Sequence, residues 1–312
     1  MGGNLSVFTV RASRVALRLR LEQAGGLDVV DRPPILGADV HTDEGQDDGP
    51  DTPLKHFGEE VRIERERLGI RRDELGRAAH CGYSLVAKIE SGERVPPPQF
   101  AEACDRVFPH SHGRYTRLWK LVLKCAFPPS FRKYVEQEEI ATVIRRFNCY
   151  LVPGLVQTEG YARAVMATGR ARNQEDLVTA RMARQRILER AHPPQLWIIL
   201  DEAALRRVYG GPEVMRGQLE RLLTLADTVP HVVQVYPQSA DHFHGVVSPF
   251  GLLSFDEGAD VAHVEGLLGG RLTAERHEVA VAQEAFSMLM AKALSPLDSS
   301  RLIESVLKEC YQ

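Results

Sequence analysis

The sequence lacks the short motifs that mark many enzymes, and it lacks a membrane span. The 312-residue chain contains no GxGxxG, no GxxxxGK[ST] and no GxSxG, which removes the usual dinucleotide, P-loop and serine-hydrolase signatures. No apolar run approaches the roughly 18 residues of a membrane helix. The five cysteines are at least 21 residues apart, so none forms a CxxC pair or a zinc spacing. We therefore expect a cytoplasmic, non-enzymatic protein with reduced thiols, no membrane span, no metal and no cofactor.

A strong charge imbalance is also missing. The formal net charge is -3 at pH 7, so the molecule as a whole is not a polycation that binds nucleic acid indiscriminately. Hydrophobic residues make up 44% and charged residues 26% of the chain, a composition typical of globular proteins. The length allows two folded domains. Any function must therefore be inferred from local patterns.

The first 55 residues show little sign of a core. Residues 28–53 contain eight acidic residues, one arginine and four prolines, and they have almost no periodic apolar pattern. This composition predicts a disordered leader over residues 1–55. A start codon assigned too far upstream would leave the same pattern.

Residues 56–127 have the periodicity of an all-α domain. Amphipathic segments predict about five helices, at residues 57–68, 72–79, 83–91, 97–107 and 112–125. Gly69 is expected to close the first helix in a left-handed conformation. A turn at residues 80–82 separates the short second helix from the third. Pro128 and Pro129 stop the fifth helix and mark a domain boundary.

The third helix has two different faces. Val86 and Ile89 point to one side and are predicted to be core, which leaves the other face free. A helix in the major groove of double-stranded DNA reads base edges with a few side chains near its N-terminus. The candidate readers are Tyr83, Ser84, Ala87 and Lys88.

Three arginines near these helices are candidate phosphate ligands. Arg71 and Arg72 stand at the N-terminus of the second helix, where charge and backbone donors favour an anion. Arg94, beyond the third helix, could bind a second phosphate. The alternative is a plain helical bundle with a solvated basic face, because residues 55–124 hold only 14 Lys and Arg against 10 Asp and Glu.

The closing segment KIESGERVP, residues 88–96, resembles the signature that ends the helix-turn-helix of the XRE family, the Cro and C repressor type. The resemblance implies a sequence-specific DNA-binding domain. Since one such module contacts a half-site, it also implies a homodimer. Two usual capping residues are missing, because Arg71 and Gly82 stand where the family has Ser or Thr.

Residues 128–312 predict an α+β domain with a small, mainly antiparallel sheet, and so an α+β fold overall. Helices are predicted at residues 131–146, 158–168, 174–191, 212–228, 274–293 and 298–309. Short strands are predicted at 196–200, 232–236, 250–255 and 261–265. The last strands follow one another without an intervening helix, which favours an antiparallel meander over a doubly wound sheet.

Two polar groupings in this domain allow more than one interpretation. The predicted helix 174–191 carries four arginines that form either a second nucleic-acid surface or a solvated helix face; they are Arg181, Arg184, Arg186 and Arg190. Asp241, His242 and His244, with His263 farther along the chain, resemble a loose metal cluster, but a polar turn between strands is the favoured interpretation.

The segments PPSFRKYVEQEEIATVIRRF, LVPGLVQTEGYARAV and LWIILDEAALRRVYGGPEVMRGQLERL, with SPFGLLSF and VEGLLGGRL, resemble the domain attached to the actinobacterial Scr-type antitoxin-like transcriptional regulators. The resemblance implies a second domain that binds a small protein partner encoded nearby. Two alternatives are a one-component sensor that binds a small-molecule ligand and a hydrolase fused to a DNA tether. The chain offers no activated group for the hydrolase apart from Asp201 and Glu202, whose predicted role is to cap a helix.

Overall fold

The protein is described by a computed structural model that covers residues 52–169, 173–240, 248–266 and 269–311. Residues 1–51 of the predicted leader lie outside these ranges, as do Asp241, His242 and His244. The predicted α+β class is confirmed: a helical part is followed by a part that contains a six-stranded sheet. Within the described ranges, no helix is both long and apolar enough to cross a membrane.

The five predicted helices of the first part are confirmed, with ends shifted by a few residues. They are α1 (Pro53–Arg67), α2 (Arg72–Ala78), α3 (Tyr83–Glu90), α4 (Pro98–Val107) and α5 (Arg114–Ala126). The first helix begins earlier than predicted because the Thr52 hydroxyl accepts the Lys55 N–H at 3.2 Å, and Pro53 at the first position already has a helical φ. Gly69 has the predicted left-handed conformation, with a φ of 66°.

Aromatic side chains hold these five helices together. Phe57 contacts Phe100 and meets Tyr115 edge-on, with ring centroids 6.5 and 6.2 Å apart. The Trp119 indole N–H donates to the Pro96 carbonyl oxygen at 2.8 Å. All four rings are buried, so each contributes a large apolar group to the core around which the helices pack.

The second part alternates helices and strands. Its helices are α6 (Pro129–Ile140), α7 (Glu159–Ala167), α8 (Gln174–Arg184), α9 (Glu202–Arg206), α10 (Pro212–Ala226), α11 (Arg276–Lys292) and α12 (Pro296–Cys310). Short 3-10 helices occupy Gly154–Val156 and Gln185–Glu189. The strands are β1 (Val143–Asn148), β2 (Gln195–Asp201), β3 (Val232–Tyr236), β4 (Phe250–Ser254), β5 (Val261–Val264) and β6 (Arg271–Thr273).

The sheet is mixed, in the order β3-β2-β1-β4-β5-β6. The predicted antiparallel meander is confirmed in β4, β5 and β6, and β4 also pairs antiparallel with β1. The parallel half, β1 with β2 and β2 with β3, was not predicted. The helix predicted over residues 131–146 is wrong in its last part, because the chain leaves α6 at Ile140 and enters β1 at Val143.

The two faces of the sheet are covered by different helices. On one face, Phe147 packs on Phe250, and Phe250 in turn meets Phe286 of α11 edge-on. The other face packs on α10 and α12 through a larger core that contains Leu219 and Ile303. Toward α6 and α8 this second face is not completely filled, and a cavity remains there.

Candidate nucleic-acid interface

A tight turn sets α2 against the start of α3. The second helix ends at Ala78, and the third begins after Gly82. Between them His80 takes a left-handed φ of 52°, a conformation that non-glycine residues adopt mainly in tight turns. A Cβ on Gly76 would lie 2.6 Å from the Cys81 carbonyl oxygen. Glycine is therefore needed for α2 to approach the turn this closely.

Another glycine lets α1 contact the end of α3. A Cβ on Gly58 would lie 2.2 Å from the Ile89 carbonyl oxygen and 2.8 Å from that of Glu90. Real Cβ atoms do not approach backbone this closely, so α1 and α3 touch through their main chains. The position and tilt of α3 therefore depend on Gly58.

A buried carboxylate connects three of the helices. The Glu90 side chain at the end of α3 is 1% exposed. Arg65 of α1 donates to it from Nε at 2.6 Å and from Nη2 at 3.0 Å, and Arg72 of α2 donates from Nε at 2.8 Å. Arg72 Nη1 also donates to the Tyr83 hydroxyl at 3.2 Å. The hydrogen bonds to Glu90 raise the pKa of both arginines. This ion cluster fixes α3 relative to α1 and α2.

The outward face of α3 carries the predicted readers. Ser84 and Lys88 are exposed, Tyr83 is 57% exposed and Ala87 is half-buried, while Val86 and Ile89 are fully buried. Among the residues that the structure describes, the Lys88 ammonium pairs with no carboxylate. These four side chains lie on one short helix and are brought together by it.

The predicted phosphate ligands are placed differently from one another. Arg71 is exposed and contacts Asp73 at 3.1 Å, and its backbone N–H donates to Glu74 at 3.0 Å. Arginine has no side-chain acceptor and so cannot cap the helix itself. Glu74 provides part of the missing cap by accepting this backbone N–H. Arg72 adjoins the readers through Tyr83 but donates its Nε to the ion cluster.

Arg94 is not brought together with the readers. Its Nη2 lies 3.4 Å from Glu175 and its Nε 3.6 Å from Asp176, both in the first turn of α8. The neighbouring Val95 N–H donates to Asp176 at 3.0 Å. Ala183 at the other end of α8 belongs to the core of the helical part. The segment that follows α3 is thus attached to α8.

The interior face of α8 borders the unfilled region of the second part. This cavity measures about 430 Å³. Its floor is β1 and β2, and α6, α8 and the segment after β5 form its walls. Arg181 and Arg184 line it, as do Glu138 of α6 and Arg146 of β1. The predicted solvated or nucleic-acid-binding face of residues 174–191 is therefore wrong for Arg181 and Arg184, which point inward. Their chain neighbours Arg186 and Arg190 do face outward and pair with glutamates.

Comparison with known proteins identifies both parts. Residues 131–305 match the family described as a domain of unknown function (DUF5753), and this match covers more than half of the chain. The chain belongs to the DUF5753 family. Residues 56–109 match a family described as a helix-turn-helix domain. The matched residues include the ion cluster and all of α2 and α3. No curated protein and no solved structure matches the chain.

This DUF5753 protein is a helix-turn-helix DNA-binding regulator. The helix-turn-helix prediction made from KIESGERVP is confirmed; the Scr-type assignment and the individual contact residues remain predictions. Sequence reasoning missed Gly58 and the ion cluster. The close contact at Gly58 could have been suspected only because a glycine stands inside a predicted helix. Glu90 entered the sequence analysis only as one letter of the KIESGERVP segment.

Proposed function

We propose that the protein regulates transcription by reading base edges in the major groove with α3. The observation that carries this proposal is the division of α3 into a buried face, Val86 and Ile89, and an exposed face that includes Ser84 and Lys88. A helix held by its neighbours on one side and open on the other has the form that major-groove recognition requires. Tyr83 and Ala87 complete the proposed reading surface.

Phosphate contacts are proposed for the arginines around α2. Arg71 is exposed at the first turn of α2, where the helix dipole also favours an anion. Arg72 contributes through the guanidinium edge that contacts Tyr83. Arg94 is the weakest candidate because Glu175 and Asp176 already neutralise it.

Replacing Lys88 by alanine tests the reading face. We expect binding to the specific site to weaken by about 1–3 kcal/mol, with a smaller loss on random DNA, because a long cationic side chain on a base edge discriminates between bases. The measurement is a fluorescence-anisotropy titration on both DNAs at fixed salt. Arg71→Ala should instead weaken binding to both DNAs alike, since a phosphate contact carries no sequence information.

Lys308→Ala is the matched control, because Lys308 is an exposed lysine on α12 in the other part of the chain. It should leave both affinities within about twofold of wild type, which is less than 0.5 kcal/mol. Equal losses on specific and random DNA for Lys88→Ala would show that the recognition face lies elsewhere.

We also propose that the active form is a cytoplasmic homodimer that binds a small protein partner. A single helix-turn-helix contacts only a half-site, and the helical part has a small excess of positive charge, so one copy would bind weakly. Footprinting should reveal two protected half-sites about one helical turn apart, with two chains bound. Tagged protein from its native cells should retain a small protein in stoichiometric amount. One chain on one unrepeated half-site would contradict the dimer, and the recovery of DUF5753 chains alone would contradict the partner.

The sensor alternative is favoured by a specific observation, the cavity against α8. The same helix contacts the cavity through Arg181 and Arg184 and the segment after α3 through Asp176. A ligand that preferred one position of α8 would shift the population of α3 positions with it. This second candidate function places ligand binding in the DUF5753 part and DNA binding in the helix-turn-helix.

A further inference from the structure

The cavity against α8 has more positive than negative charge on its walls. Arg146 pairs with Glu265, and Arg184 lies 2.9 Å from Glu138. For Arg181, no carboxylate of the described residues lies within ion-pair distance. Its Nη1 donates to Gln157 at 2.8 Å, and its Nε has no hydrogen-bond partner.

Arg181 is nevertheless charged. Burial and the nearby Arg184 lower the pKa of Arg181 to about 10, which is still well above neutral pH. Although part of the Arg181 side chain is exposed, a cation that is largely shielded from water and has no counterion is destabilising. The cavity therefore contains an unpaired cation that an anion would stabilise.

Unpartnered polar atoms are concentrated at the same place. Within the described ranges, every buried side-chain nitrogen or oxygen that lacks a hydrogen bond belongs to a residue lining this cavity. Asn148 offers an unpaired Oδ1 and is 4% exposed, and neither ring nitrogen of His263, 1% exposed, has a partner. Although Arg184 and Glu138 are close, their Nε and Oε2 do not have hydrogen-bond geometry. Buried polar groups are rarely left in this state unless something else binds them.

The surrounding chain leaves room for these polar side chains. A Cβ on Gly270 would lie 2.1 Å from His263 Nε2, and one on Gly251 would lie 2.7 Å from Arg146 Cδ. Apolar side chains line the cavity beside these polar groups: the Phe131 ring lies 5.2 Å from the Arg184 guanidinium and 5.8 Å from the His263 ring. A cavity with an apolar lining and a few convergent polar groups is the usual form of a small-molecule site.

We infer that this cavity binds a small organic anion that has an apolar body and a hydrogen-bond donor. Its anionic group would pair with Arg181, its donor would meet Asn148 Oδ1, and its apolar body would pack on Phe131. The inference deepens the sensor function proposed above and rests on it for the effect on DNA, but binding itself can be measured without DNA.

The probe pair is 8-anilinonaphthalene-1-sulfonate, an aromatic anion with an N–H donor, and N-phenyl-1-naphthylamine, which has the same rings without the sulfonate. Both fluoresce in apolar surroundings, so each is titrated into the full chain. We expect the sulfonate to bind with a stoichiometry of one. Arg181→Met should weaken sulfonate binding at least about tenfold, or 1.4 kcal/mol, and change binding of the neutral probe less than twofold.

Two further variants make the result specific. Arg276→Met removes an exposed arginine from the start of α11 and should leave the affinity for both probes unchanged. Leu151 lines the cavity, and Leu151→Trp, which narrows it, should weaken the binding of both probes. This variant serves as the test if Arg181→Met does not fold.

Several results would overturn the inference: sulfonate binding that Arg181→Met leaves unchanged, neutral-probe binding that Leu151→Trp leaves unchanged, or binding of several sulfonate molecules per chain. Lys88→Ala is expected to bind the sulfonate as wild type does. A failure of DNA reading is thus distinguished from a failure of this site.

Discussion

Glu90→Ala is expected to destabilise the helix-turn-helix by about 3–5 kcal/mol, the usual effect of removing one partner from a buried ion pair. Arg65, with a side chain 8% exposed, would keep its charge and lose its buried carboxylate, retaining only the exposed Glu66 at 3.3 Å. Arg72, at 31% exposure, would be solvated more easily and would contribute less to the loss. Most of the effect should therefore arise from Arg65.

The chain offers a clean reporter for this experiment. It has two tryptophans, Trp119 in the core of the helical part and Trp197 in β2. In a Trp197→Phe background, fluorescence during urea unfolding comes from Trp119 and reports on the core of the helical part, in which Ala183 of α8 also packs. The midpoint and slope of that transition give the free energy of unfolding.

Glu93→Ala is the matched control for Glu90→Ala. Glu93 is exposed three residues farther along the chain, so its removal should change the free energy of unfolding by no more than about 0.5 kcal/mol. The double variant Arg65→Met with Glu90→Leu should recover most of the lost stability, because it removes both charges from the interior. A loss below 1 kcal/mol for Glu90→Ala would mean that the ion cluster does not hold α3 in place.

Gly58→Ala is the second substitution with a large expected effect. The new methyl group would overlap the carbonyl oxygens of Ile89 and Glu90, which are backbone atoms and yield only if α3 moves away from α1. Overpacking of this kind costs about 1–3 kcal/mol and at times more, and we expect about 3 kcal/mol here. Specific DNA binding should fall as well, since the displaced helix carries the proposed readers.

Gly217→Ala gives the comparison. Gly217 also lies inside a helix, α10, but a Cβ there would meet no atom within 4 Å. The substitution should raise the free energy of unfolding by up to about 1 kcal/mol through helix propensity. Urea unfolding and an anisotropy titration of each variant provide the measurements. If Gly58→Ala proved as stable as Gly217→Ala, α1 and α3 could not be in main-chain contact.

The charge around α3 also bears on how the protein binds DNA. Several exposed arginines near it are paired with acidic residues on their own helix, among them Arg67 with Glu64 and Arg77 with Asp73. Such pairs reduce the field that attracts phosphate. The proposed dimer or partner would compensate by adding contacts.

Local features were readable from the sequence because their physics is local. The three-residue spacing of Val86 and Ile89 predicted the buried face of α3, and both side chains are fully buried. Gly69 was predicted to take a left-handed conformation because few other residues adopt it at a helix end. The antiparallel meander followed from strands separated by turns. For these elements the sequence alone determined the structure.

The tertiary structure decided which polar residues face inward. Glu90 meets Arg65 and Arg72 across 25 and 18 residues of chain, and no spacing rule connects them. Arg181 and Arg184 had the appearance of a solvated helix face. They line a cavity whose floor is formed by β1 and β2. The sequence did not predict β1, because the pattern of residues 131–146 favoured a helix. The sequence by itself determined a helix-turn-helix whose third helix has one buried and one exposed face. The fold determined the ion cluster that holds it and the cavity behind it, because burial depends on which element packs opposite a residue.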